Sequence, residues 1–146
     1  MKEIGKDMYK VGKFTVIAAA LVCSLPAVAS AATLYDCTMK KADWIAPRVL
    51  IIHDETTDEV TVLDGVIKSL TGKEALPARV SVKNNKRITF VWQIAESTNS
   101  HGQFVPKFEY RGTYLRSRKE LVLTGKPVGY ASDYRGQGAC TLEQIK

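Results

Sequence analysis

The stretch Arg87-Ile88-Thr89-Phe90-Val91-Trp92-Gln93-Ile94-Ala95 decides the fold. Ile88, Phe90, Trp92 and Ile94 fall on one face and Thr89, Val91, Gln93 and Ala95 on the other. A period of two is what a strand produces and a helix does not. Val105 to Leu115 repeats it, with Phe108, Tyr110, Gly112 and Tyr114 opposite Lys107, Glu109, Arg111 and Thr113. Between the two runs, Ser97 to Gln103 supplies the turn formers Ser, Thr, Asn and Gly, so the runs are expected to pair antiparallel.

Outward from this pair, short apolar runs recur at similar intervals. Leu34 to Met39, Arg48 to His53, Glu59 to Leu63, Ala78 to Lys83, Glu120 to Thr124 and Ala139 to Glu143 all read as strands. Asp54-Glu55-Thr56-Thr57-Asp58 and Asn84-Asn85-Lys86 are the turns between neighbours, and one helical turn is expected near Val66 to Leu70. Eight strands with so little helix make an all-β antiparallel meander. Such a meander hides its edges by closing into a barrel or by packing as a two-sheet sandwich. Closure is the expectation, because it would bring Cys37 on the first strand beside Cys140 on the last. Pro47, Pro77, Pro106 and Pro127 sit at strand starts or ends, where a missing N–H does least damage. Leu70-Thr71-Gly72-Lys73 recurs as Leu123-Thr124-Gly125-Lys126 and is read as two similar strand exits.

The N-terminus is set apart. Lys2, Lys6, Lys10 and Lys13 precede the apolar run Phe14 to Leu25; Pro26 then breaks the run, and small residues follow up to Ala31. This is the pattern of a secretory signal peptide cleaved after Ala31, leaving one β domain over residues 32–146. An uncleaved anchor would want a longer apolar run without the small-residue ending. Cys23 leaves with the signal; Leu21 and Val22 before it do not suit lipidation. Residues 32–146 keep 17 Lys or Arg against 13 Asp or Glu, a net +4 where the whole chain carries +6. The two remaining cysteines, Cys37 and Cys140, are expected to form a disulfide in a periplasmic or secreted protein.

Chemistry-bearing motifs are sparse. His53 and His101 have no second ligand at zinc spacing, and the acidic turns lack the glycine a calcium loop needs, so neither metal nor cofactor is expected. No phosphate loop, nucleophile elbow or paired-carboxylate motif is present, which argues against an enzyme. The densest basic stretch, Arg116-Ser117-Arg118-Lys119, reads as a solvated turn rather than a nucleic-acid stripe. Anionic glycans or lipid headgroups remain compatible with the mild basicity.

Two places stand out. Gly125 to Gly138, GKPVGYASDYRGQG, is expected to be a long loop at one barrel mouth, carrying Tyr130, Asp133, Tyr134 and Arg135. Its tyrosines either cap the core or meet a ligand. Trp44, in Lys41 to Pro47, either plugs the barrel end or anchors a partner.

The sequence Tyr35-Asp36-Cys37, Trp44-Ile45-Ala46-Pro47-Arg48-Val49, Thr89-Phe90-Val91-Trp92, Phe108-Glu109-Tyr110-Arg111 and Gly136-Gln137-Gly138-Ala139-Cys140 resembles a group of small exported proteins of alphaproteobacteria. The resemblance spans nearly all of the β domain and implies export and an all-β fold, without an activity. More loosely, the size and single terminal disulfide are similar to periplasmic lysozyme-inhibitor barrels and lipocalin-like folds, and fold likeness alone assigns no function.

The functional expectation is therefore a monomeric, non-enzymatic binding module for a protein, glycan or small apolar ligand, with Trp44, Tyr130, Asp133, Tyr134 and Arg135 as its candidate contacts. The alternative is an envelope structural or accessory protein that meets another envelope component or the membrane surface. A hydrolase is the third reading; an open cleft with converging carboxylates or His53 would revive it.

Overall fold

The computed structural model describes residues 31–146; the expected signal segment, with Cys23, lies outside the described residues. The expected alternation is realised strand by strand in β1 (Ala32–Met39), β2 (Arg48–Asp54), β3 (Val60–Asp64), β4 (Leu76–Lys83) and β5 (Arg87–Ile94). Two two-residue strands, β6 (Ser97–Thr98) and β7 (Phe104–Val105), pair with each other within the connection to β8 (Phe108–Leu115). β9 (Glu120–Pro127) and β10 (Tyr134–Ile145) complete the chain. The eight long strands close as an antiparallel barrel in the order β1-β10-β9-β8-β5-β4-β3-β2.

Closure sets first and last strands side by side over eight residue pairs, Ala32 with Ile145 through Met39 with Gly138. Cys37 lies directly opposite Cys140, and the two are disulfide-bonded. The Cys140 N–H is donated to the Lys119 carbonyl on the other side. That makes the cysteines a non-hydrogen-bonded pair, the kind in which facing residues come closest. The bond closes 103 residues, worth about 4–5 kcal/mol in the chain-entropy account.

The interior is filled. Toward the end formed by the hairpin turns, Tyr35 meets Phe90 and Tyr114 edge-on, with ring centroids 5.4 and 5.0 Å apart. Toward the other end Trp92 stacks on Tyr110 at 5.5 Å, and Phe108 stacks on Tyr110 at 5.8 Å. Two inward glycines make room for these rings: a Cβ at Gly125 would lie 2.6 Å from the Tyr110 ring, and one at Gly112 3.4 Å from Trp92.

Two local expectations are corrected. Gly125 to Gly138 is not one long loop: Gly125 to Pro127 belong to β9 and Tyr134 to Gly138 to β10, leaving only residues 128–133 as connection. Three of its glycines, Gly125, Gly136 and Gly138, are inward strand positions, where Gly136 faces Ile45 and Gly138 lies against the Thr38 backbone, while Gly129 turns the connection at φ 89°. Nor are the Leu-Thr-Gly-Lys repeats two strand exits. The first ends the helix α1 (Gly65–Thr71), with Gly72 as its left-handed cap at φ 70°, while Leu123 to Lys126 lies inside β9. That helix starts on Asp64, whose carboxylate accepts from the Ile67 N–H at 2.7 Å, and its Ile67 is buried in the core.

Candidate functional site

The loop end gathers the connections between β1 and β2, β3 and β4, β5 and β8, and β9 and β10. Trp44 sits there in a left-handed backbone conformation, φ 60°, which bulky residues rarely adopt. Its carbonyl accepts from the buried Tyr110 hydroxyl at 2.9 Å, and its ring packs on Phe108 at 5.0 Å and Tyr134 at 6.3 Å. Burial pushes the Tyr110 phenol well above its ordinary range. Trp44 thus covers the mouth while remaining 37 % exposed. Tyr134 is half-buried against the core, whereas Tyr130 is 55 % exposed. Asp133 pairs with Arg135 at 3.0 Å. The candidates read from sequence therefore divide: Trp44 and Tyr134 close the barrel, Tyr130 stands free on the rim, and Arg135 points outward from β10.

Pairing register creates a second constellation on the outside of the barrel. Arg79 on β4 pairs with Val91 on β5, Val91 with Arg111 on β8, Arg111 with Thr124 on β9, and Thr124 with Arg135 on β10. These five residues form one transverse row on the outer face. Neighbouring strands are ~4.8 Å apart, so its arginines recur about every 10 Å along a row of about 19 Å. All three arginines line a single groove of about 960 Å³, with Lys73 and Lys126. One step along the strands lie Gln93 and Glu109, joined by a 3.3 Å hydrogen bond. Among the described residues neither Arg79 nor Arg111 has an ion-pair partner.

A contrast shows what that means. On the other side of the barrel a smaller depression of about 320 Å³ contains Arg48. This arginine is already neutralised, donating from Nε at 2.9 Å and Nη2 at 2.6 Å to the two oxygens of Asp36. The guanidinium holds the Asp36 carboxyl below its ordinary range. Arg48 could take an external anion only by giving up that fork; Arg79 and Arg111 give up only water.

His53 lies elsewhere. It is 1 % exposed inside the hairpin end, its Nε2 2.7 Å from Asp58 Oδ1. A β-bulge between Val80 and Val82 shifts the register so that Lys83 faces Ile88, and Lys83 Nζ reaches the same Asp58 oxygen at 2.8 Å. Hydrogen bonds from Lys83 first and His53 second hold the Asp58 carboxyl below its ordinary range. The cluster ties the β2–β3 turn to β4, and the imidazole does not face the groove. Among the described residues no group of three or more His, Cys, Asp or Glu side chains is placed to hold a metal ion. No described helix is long and apolar enough to cross a membrane.

Sequence reasoning reached Arg135 but missed Arg79 and Arg111. Each stands at an outward position of its alternating run; that they share a row depends on register across four strand pairs. Two hairpin turns could have supplied part of it, pairing β4 with β5 and β8 with β9. Neither the bulge nor the long β5–β8 connection reveals the rest. No family model, curated protein or solved structure matches the chain.

Proposed function

We propose that the protein is an exported, non-enzymatic binding module that captures an anionic ligand on the outer face of β4, β5, β8, β9 and β10. One observation carries this reading: Arg79, Arg111 and Arg135 are aligned on a single groove, and the first two lack partners among the described residues. Unneutralised arginines on a common surface are an anion-recognition feature, since each guanidinium offers a planar fork to a carboxylate, phosphate or sulfate. The filled interior favours an outer site over a cavity for a small apolar ligand. Export to the periplasm or beyond is supported by the signal-like N-terminus and by the Cys37–Cys140 bond, which persists in oxidising compartments.

The test compares two double variants of the purified protein immobilised against extracts of its own envelope. R79E/R111E should lose the captured ligand, and W44A/Y130A should keep it. The opposite pattern would move the site to the mouth and overturn this reading.

One observation favours the second reading, an envelope accessory protein. Trp44, Phe104, Val128 and Tyr130, between 37 % and 64 % exposed, all lie on loop-end connections. Exposed apolar residues gathered at one end suit contact with a partner or a membrane surface. Under this reading W44A/Y130A would abolish co-sedimentation with membranes and R79E/R111E would not.

A further inference from the structure

Resting on the groove as the binding site, we propose that its ligand is a linear acidic polysaccharide. Arg79 and Arg111 take its carboxylates, Arg135 takes a third only by exchanging its exposed partner Asp133 for the ligand, and Gln93 with Glu109 takes its hydroxyls. The arginines stand two strands apart, so neighbouring cations are separated by about 10 Å. That spacing suits a chain bearing one carboxylate on every second sugar ring. A compact anion would engage one arginine and leave the others idle.

Glu109 narrows the chemistry. A carboxylate among these cations opposes any ligand that is only anionic, because it accepts hydrogen bonds and donates none. Its bond from Gln93 occupies Oε1 and leaves Oε2 to accept from a hydroxyl. Polyphosphate has no such donor, whereas a sugar ring has several. Trp92 and Tyr110 border the groove, but both are buried and their rings stack on each other, so the groove offers no open ring face of the kind single-stranded nucleic acids use for base stacking. A bilayer is disfavoured by the same geometry: the exposed large apolar side chains, Trp44, Phe104, Val128, Tyr130 and Leu142, belong to the barrel ends and not to the arginine row.

The experiment is calorimetric titration of the purified protein with four probes. They are an oligosaccharide alternating uronic acid with a neutral sugar, polyphosphate, a single-stranded oligonucleotide, and phosphatidylglycerol vesicles. The oligosaccharide should bind most tightly, and R111E should weaken it about tenfold or more, as expected for loss of a charge-assisted contact. Glu109→Ala should also weaken it. Against a ligand recognised by charge alone, removing that carboxylate would strengthen binding, so tighter oligosaccharide binding by E109A overturns the proposal. If another probe binds more tightly and R111E weakens it, the polysaccharide is wrong while the groove remains the site. If no probe binds, or R111E binds like the unaltered protein, both proposals fall. Should R111E not fold, Arg79→Gln is the substitute, because Arg79 is exposed and holds no partner among the described residues.

Discussion

The strands β4, β5, β8, β9 and β10 carry two unlike surfaces on one backbone. Inward they present Trp92, Tyr110, Phe108, Leu121 and Leu123, buried and in mutual contact. Outward, one residue away at each step, they present Arg79, Arg111 and Arg135 beside the smaller Val91 and Thr124. The inner set shields large rings from water and supplies stability. Of this outer set only Arg135 has a partner, the exposed Asp133; Arg79 and Arg111 gain little from the fold, since solvated cations without partners contribute little to stability. Arginines kept in a row without that benefit are better explained by something outside the molecule than by the barrel itself.

The comparison can be broken most severely from the inner side. Phe108→Ala should lower unfolding free energy by about 3–5 kcal/mol, the range for deleting a large buried aromatic. Its folded fraction should still bind at the groove, as denaturant melts paired with titration would establish. A loss of affinity as large as the loss of stability would mean that the faces are not independent.

Adjacent residues on β9 sharpen the contrast. Gly125→Ala would press a Cβ against the Tyr110 ring, 2.6 Å away, and should cost about 1–3 kcal/mol through overpacking. Thr124→Ala, its outward neighbour, should change stability by less than about 0.5 kcal/mol. Equal thermal shifts in the two variants would contradict the assigned faces.

Alkaline pH probes the inner face without mutation. Burial, followed by the charge of Glu55, raises the Tyr35 phenol from 10.0 to about 12. The unfolded chain therefore gives up this proton before the folded one does. Tyr35's contribution is intact below pH 10 and is lost as pH rises toward about 12. Urea midpoints should fall across that window, and Tyr35→Phe should flatten the decline. An unchanged slope in the variant would remove Tyr35 as its cause.

The smallest expected effect tests the outer face. R79E/R111E should melt within about 0.5 kcal/mol of the unaltered protein, since exposed residues without partners seldom matter to stability. A large destabilisation would give the arginines a structural role and dissolve the distinction between the faces.

Much of the inner surface was legible in the sequence. Ile88, Phe90, Trp92 and Ile94 all point inward as their alternation required, and the facing pair Cys37 and Cys140 matches the expected closure. Glycine misled where its usual meaning was overruled. Gly125, Gly136 and Gly138 read as parts of one long loop, yet each is an inward strand position pressed against a ring, a side chain or a backbone. The candidate site was legible only at Arg135, and its companions could not be read from spacing along the chain.

By itself the sequence determined the strand periodicity, the sulfur pair that joins the first strand to the last, and the absence of familiar catalytic motifs. Those properties reside in neighbouring residues or in residue chemistry. Only tertiary structure decided that Arg79, Arg111 and Arg135 stand together and that aromatic rings fill the interior. Both depend on which residues face each other across strands, and register is fixed when the whole barrel packs its inner face, not by any one strand alone.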